Sequence, residues 1–91
     1  MGMRRELENI LGGEFRFLAI DTRDRLHLTQ KEMGDRLCMS ESSYSDIETG
    51  RSACGVLTAI LLLSMQENPA AFLQKTSEDF IKFYEKEMQS S

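Results

Sequence analysis

The sequence predicts an all-α fold: one domain, residues 1–91, built from helices packed around a single core. Three observations predict it. One Pro and six Gly in 91 residues leave little of the punctuation that a many-stranded β fold needs. Apolar residues recur at helical spacing along most of the chain. Helix-start signals stand in front of several of those runs, at Thr29-Gln30-Lys31-Glu32, Ser40-Glu41 and Asn68-Pro69. A chain of this length buries roughly 60–65% of the surface that its unfolded form exposes, enough for one core without metal or disulfide staples.

The first helix is expected over residues 3–11, where Met3, Leu7, Ile10 and Leu11 share a stripe, with Gly12-Gly13 ending it. A second run starts at Glu14 and carries Phe15, Leu18, Ala19, Thr22 and Leu26 at helical spacing. It is expected to stop near His27, a residue type that tolerates the left-handed region better than most. That makes His27 a turn residue rather than a metal ligand or a base. Thr29-Gln30-Lys31-Glu32 reads as a capping box, with the Thr29 hydroxyl accepting from the Glu32 amide and the Glu32 carboxylate accepting from the Thr29 amide. The helix it opens starts at Gln30, buries Met33 and Leu37, and stops at Cys38.

Only Met39 separates that helix from Ser40, a good N-cap, with Glu41 well placed at the positive end of the next helix dipole. This helix buries Tyr44 and Ile47 and ends at Gly50, which can adopt positive φ. Two short helices joined so tightly must cross steeply, and Gly34 has to be small where the second passes the first. Residues 56–66 carry Val56, Leu57, Ala59, Ile60, Leu61, Leu62, Leu63 and Met65, apolar nearly all round. A surface helix shows a stripe of about 100°, so this segment is expected to be the central helix of the core. Asn68-Pro69 starts another helix, and Thr76-Ser77-Glu78-Asp79 looks like a further start. The tail then places Phe80, Ile81, Tyr84 and Met88 on one face, with Phe83 beside them.

Composition narrows the function classes. The chain is 41% hydrophobic and 29% charged, which describes an ordered globular protein. The longest apolar run, Ala59–Leu63, is far short of the roughly 20 residues that span a bilayer. The first 30 residues, with Glu6, Glu8, Glu14, Asp21 and Asp24, contain no signal-peptide core. A cytoplasmic protein with no membrane partner is expected. Eleven Lys+Arg against fifteen Asp+Glu give a net charge of −4, whereas phosphate neutralisation makes most nucleic-acid-binding domains basic. Cys38, Cys54 and His27 have no metal-type spacing. The cysteines read as free thiols, with a redox pair as the alternative. With no phosphate-cradling Gly loop and no ligand cluster, no catalytic residue, metal or cofactor is expected, and the chain does not read as an enzyme.

Leu28 to Arg51, LTQKEMGDRLCMSESSYSDIETGR, resembles the helix-turn-helix of lambda-repressor-like DNA-binding domains, the Cro/repressor or xenobiotic-response-element type. The match is in register. Thr29-Gln30 opens the first motif helix, Gly34 is the small residue, and Met33, Leu37, Met39, Tyr44 and Ile47 take the apolar positions. Ile47-Glu48-Thr49-Gly50-Arg51 is an ending typical of the family. The resemblance implies a five-helix bundle over about residues 14–74, with a short N-terminal helix or arm (1–13) and a longer C-terminal helical extension (75–91).

The resemblance also implies roles. The base-facing positions of the recognition helix fall on Glu41, Ser42 and Asp46. The DNA-backbone positions fall on Gln30, Thr49 and Arg51, and Arg23 with Glu48 match a pair that forms a buried salt bridge in some relatives. Plainer readings stand beside these: Gln30 as a solvated helix-start residue, Glu41 as a first-turn stabiliser, Asp46 as a solvated surface residue. Three departures stand out. Cys38 replaces the usual turn glycine, so either the turn differs or Cys38 takes up αL strain of about 1–2 kcal/mol. Tyr44 stands where Val or Ile is usual. The recognition helix holds two carboxylates and no Lys or Arg before Arg51; a carboxylate can accept from cytosine N4, but it faces a groove lined by phosphates.

The function expected is therefore a sequence-specific DNA-binding transcription regulator, a homodimeric repressor reading a palindromic site in double-stranded DNA with helix 41–49. The alternative is a helix-turn-helix fold used as a protein-binding adaptor or antitoxin-like partner, which the acidic helix favours. The dimer is expected to use the C-terminal segment, unless the apolar faces of 56–66 and of the tail cover each other within one chain.

Overall fold

The computed structural model describes residues 2–89. Among them are five helices and no strand: α1 (Gly2–Arg25), α2 (Gln30–Arg36), α3 (Glu41–Thr49), α4 (Val56–Ser64) and α5 (Pro69–Gln89). The all-α expectation holds, and α2 and α3 start where their caps place them, although α2 ends at Arg36 rather than Cys38 and α4 at Ser64 rather than residue 66. Thr29 and Glu32 form both halves of the capping box that opens α2. Ser40 caps α3 by accepting from the Ser43 amide at 3.1 Å. Gly50 closes α3 with φ 80°.

The turns also behave as their residues require. His27 sits at φ 55° after α1, and Cys38 sits at φ 59° between α2 and α3. Cys38 thus takes the left-handed conformation at the turn position for which the resemblance implies glycine. Gly34 is needed for close approach, because an added Cβ would lie 2.9 Å from the Met39 carbonyl oxygen and 3.2 Å from that of Ser40. The Met39 amide donates to the Gly34 carbonyl at 2.9 Å across the same gap.

Two expected helix boundaries are corrected at the long helices. Gly12-Gly13 does not end a helix; α1 runs unbroken from Gly2 to Arg25. A helix-interior glycine costs about 1 kcal/mol relative to Ala. Docking offsets that, since Met3, Leu7 and Ile10 are half-buried, with Leu7 beside Phe80 and Tyr84 of α5. Likewise Thr76 starts no helix: α5 is continuous, and Thr76 is buried mid-helix with its hydroxyl unpartnered within the described residues. The expected divisions at 13/14 and 74/75 therefore fall inside α1 and α5.

These two helices pack antiparallel. Phe15 meets Phe72 edge to face with ring centroids 5.0 Å apart, Lys75 pairs with Glu14 at 3.6 Å, and Leu7 shares a groove with Phe80 and Tyr84. The tail turns a different face inward from the one expected. Phe80 and Phe83 are half-buried, whereas Ile81, Tyr84 and Met88 are exposed.

A further correction concerns α4, which is not central. Thr58 and Leu62 are its buried residues, and Val56, Leu57 and Ile60 are 82%, 66% and 55% exposed. The core lies instead where α1, α2 and α3 meet, around Phe15, Leu18, Ala19, Met33, Leu37 and Tyr44, with Leu62 entering from α4. Gln66 ties the end of α4 to the end of α1: its amide donates to the Thr22 hydroxyl at 2.9 Å and accepts from Arg25 at 2.9 Å. The apolar faces of α4 and the tail do not cover each other.

Candidate nucleic-acid interface

α3 is amphipathic by turn geometry. Tyr44 and Ile47 are buried, so helical periodicity turns Ser42, Ser45, Asp46 and Thr49 to the opposite side, with Glu41, one turn before Tyr44, at its edge. Glu41 and Ser42 are exposed and Asp46 is half-exposed. Of the three positions assigned to base reading, Ser42 and Asp46 share the outward face and Glu41 stands exposed at its edge, with no basic side chain within α3.

The inner side of α3 is locked by one carboxylate. Arg23 on α1 donates through Nε to Glu48 Oε2 at 2.6 Å and through Nη2 to Oε1 at 3.1 Å. Gln30, at the start of α2, donates through its amide nitrogen to Oε1 at 3.0 Å. The Tyr44 hydroxyl, one turn back on α3, donates its single proton to Oε2, and the Ala19 carbonyl lies 3.3 Å from the same hydroxyl oxygen. Glu48 therefore joins three helices. Burial pushes its pKa upward, but the hydrogen bonds from Arg23, Tyr44 and Gln30 outweigh that and hold it below the ordinary carboxylate value. The same arrangement raises Arg23, chiefly through the Glu48 hydrogen bond. Tyr44 rises steeply, first because it is buried and then because its proton is held by Glu48.

Of the residues assigned to the DNA backbone, Thr49, the last residue of α3, and Arg51, two residues beyond it, are exposed. The loop is folded back on the helix, with the Arg51 and Ser52 amides both donating to the Asp46 carbonyl, at 2.8 and 3.1 Å. The Thr49 hydroxyl lies 3.3 Å from the same oxygen. Gln30 is not a freely solvated helix-start residue. Its side chain is held by Glu48, with the second amide hydrogen and the amide oxygen left for another partner. The sequence reading missed both Gln30 and Tyr44 as ligands of Glu48. A tyrosine four residues before a carboxylate on one helix was the available signal for the second of them.

Residues 21–64 match the family model described as Helix-turn-helix, which spans the end of α1 through α4. No curated protein and no solved structure gives a match. The match and the geometry agree on the class: this segment is a helix-turn-helix domain of the lambda-repressor-like family, the Cro/repressor or xenobiotic-response-element type. That family consists of DNA-binding transcription regulators and is not typically enzymatic. Among the described residues, no helix is long and apolar enough to cross a membrane.

Proposed function

We propose that this protein binds duplex DNA as a sequence-specific transcription regulator, a homodimeric repressor that lays α3 in the major groove of a palindromic site. The observation that carries this reading is the two-sidedness of α3. Its inner side is fixed by Tyr44, Ile47 and the Glu48 hub, while its polar outer side is free for a ligand. Base reading is assigned to Glu41, Ser42 and Asp46, and phosphate anchoring to Gln30, Thr49 and Arg51. The exposed apolar residues of α4 (Val56, Leu57, Ile60) and of α5 (Leu73, Ile81, Tyr84, Met88) support self-association. A two-fold dimer would set two copies of α3 in successive major grooves, with half-site centres about 34–36 Å apart.

Glu41 and Asp46 favour a second reading, in which α3 meets a basic protein surface as an adaptor or antitoxin-like partner. Selection of bound sequences from a random duplex pool, followed by a salt titration of the winner, separates the two. DNA binding predicts an enriched palindrome whose affinity falls steeply with salt. No enrichment, and no binding even at low salt, would end the DNA reading in favour of the adaptor.

A further inference from the structure

A cavity of about 280 Å³ lies between α1 and the loop that leaves α3. Gly12 and Gly13 form its wall on α1, and a Cβ added at either meets nothing within 4 Å. Among the described residues nothing approaches closely enough to require glycine there, although each weakens a helix interior by about 1 kcal/mol relative to Ala. A smaller space of about 210 Å³ adjoins it, sharing Gly12 and adding the apolar surfaces of Leu11 and Phe15.

The charge along this cavity is lopsided. At one end Arg16 has no ion-pair or hydrogen-bond partner among the described residues. Its Nη1 lies 3.4 Å from where a Cβ of Gly50 would stand, at the negative end of the α3 dipole, which holds a cation there. Glu8, about two turns away on α1, is paired with Arg4 at 3.3 Å. Arg16 is thus the one cation of a space lined by Gly12, Gly13, Gly50, Ile47, Ala53 and Cys54, with Glu8, Asn9 and Ser52 as its other polar walls.

We infer that this cavity binds a small organic monocarboxylate, the carboxylate on Arg16 and the apolar body over Gly12 and Gly13. The ligand would bear on the Gly50–Ala53 loop that carries Arg51, and so alter DNA affinity; this regulatory half rests on the DNA-binding reading, whereas the binding half does not.

The probe is sodium benzoate, titrated into the full-length protein against equal concentrations of sodium chloride, with amide shifts followed by NMR. Saturable shifts are expected at Gly12, Gly13 and residues 52–54. Gly12→Leu fills the space with a better helix former, so it should stay folded, melt no lower than the parent, and lose those shifts. Arg16→Gln should weaken binding about tenfold or more, the loss of a charge-assisted hydrogen bond. Absence of saturable shifts in the parent, or equal shifts in both variants, would overturn the site. Benzoate should also change affinity for the selected duplex in the parent and not in Gly12→Leu. Binding without that change would overturn the regulatory half alone, and a protein that binds no duplex would refute the DNA reading while leaving the binding test intact.

Discussion

Arg23 and Glu48, 25 residues apart, form a two-point ion pair that fixes the recognition helix against α1. The side chains are 25% and 9% exposed, so the carboxylate is nearly out of water and the guanidinium only partly so. Removing one partner of a buried pair costs about 3–5 kcal/mol, because it strands the other charge, whereas replacing both by apolar residues is often neutral. Arg23→Met should therefore lower stability by about 3 kcal/mol, at the low end because Arg23 still touches solvent. Adding Glu48→Leu should recover most of the loss. Urea unfolding of the four members of this cycle checks it; a double variant as unstable as Arg23→Met would show that the pair is not what the cost reflects.

Acid should reach the same hub. Glu48 has a folded-state pKa below its unfolded value of about 4.3, so it contributes stability that is full above that value. The contribution is lost as pH falls through the lower folded value. The stability difference between the parent and the Arg23→Met/Glu48→Leu variant should be flat from pH 8 to about 5 and shift against the parent below about 4.3. A difference independent of pH down to 3 would contradict this.

Gly34→Ala should be destabilising although Ala is the better helix former. The new methyl meets the backbone oxygens of Met39 and Ser40 at 2.9 and 3.2 Å, and backbone cannot step aside as a flexible side chain can. Overpacking of this kind costs about 1–3 kcal/mol. Thermal melts should show a drop; an unchanged or higher midpoint would mean that the α2–α3 turn is looser than this geometry.

On DNA, the two proposed groups of residues should behave differently. Arg51→Ala should weaken specific and non-specific binding alike and reduce the salt slope by about one unit. Asp46→Asn should move base preference from cytosine, through its N4 donor, toward adenine, whose N6/N7 edge an amide bonds in both directions. With one phosphate-repelling charge removed, Asp46→Asn and Glu41→Gln should also bind non-specific duplex more tightly. If Arg51→Ala alone has an effect, α3 docks without reading bases at those positions.

Self-association should depend on the exposed stripe of α5. Ile81 and Tyr84 are each more than half exposed, so Ile81→Glu and Tyr84→Glu should leave the fold intact while giving a monomer by light scattering. A parent protein that is already monomeric at micromolar concentration ends the dimer proposal.

The caps, the turns and the need for a small residue at position 34 were legible in the sequence for one physical reason: each is decided by groups within about five residues of one another. Thr29 with Glu32, Ser40 with Ser43, and Gly34 with Met39 are local hydrogen bonds or local clearances, and residue type is enough to place them. The outward positions of α3 follow in the same way once Tyr44 and Ile47 are recognised as the inward ones. The fate of the long helices was decided only by tertiary structure. Gly12-Gly13 is a helix stop by local propensity, yet α1 continues because Leu7 and Phe15 dock on residues some 60 to 80 positions away, near Phe72, Phe80 and Tyr84. The burial of so apolar a segment as α4 could not be read from its composition, since a helix buries only what its neighbours cover, and here they cover Thr58 and Leu62. Gln30 and Tyr44 came to share Glu48 for the same reason: α1, α2 and α3 cross at one point, and a carboxylate taken out of water there draws in every donor within reach.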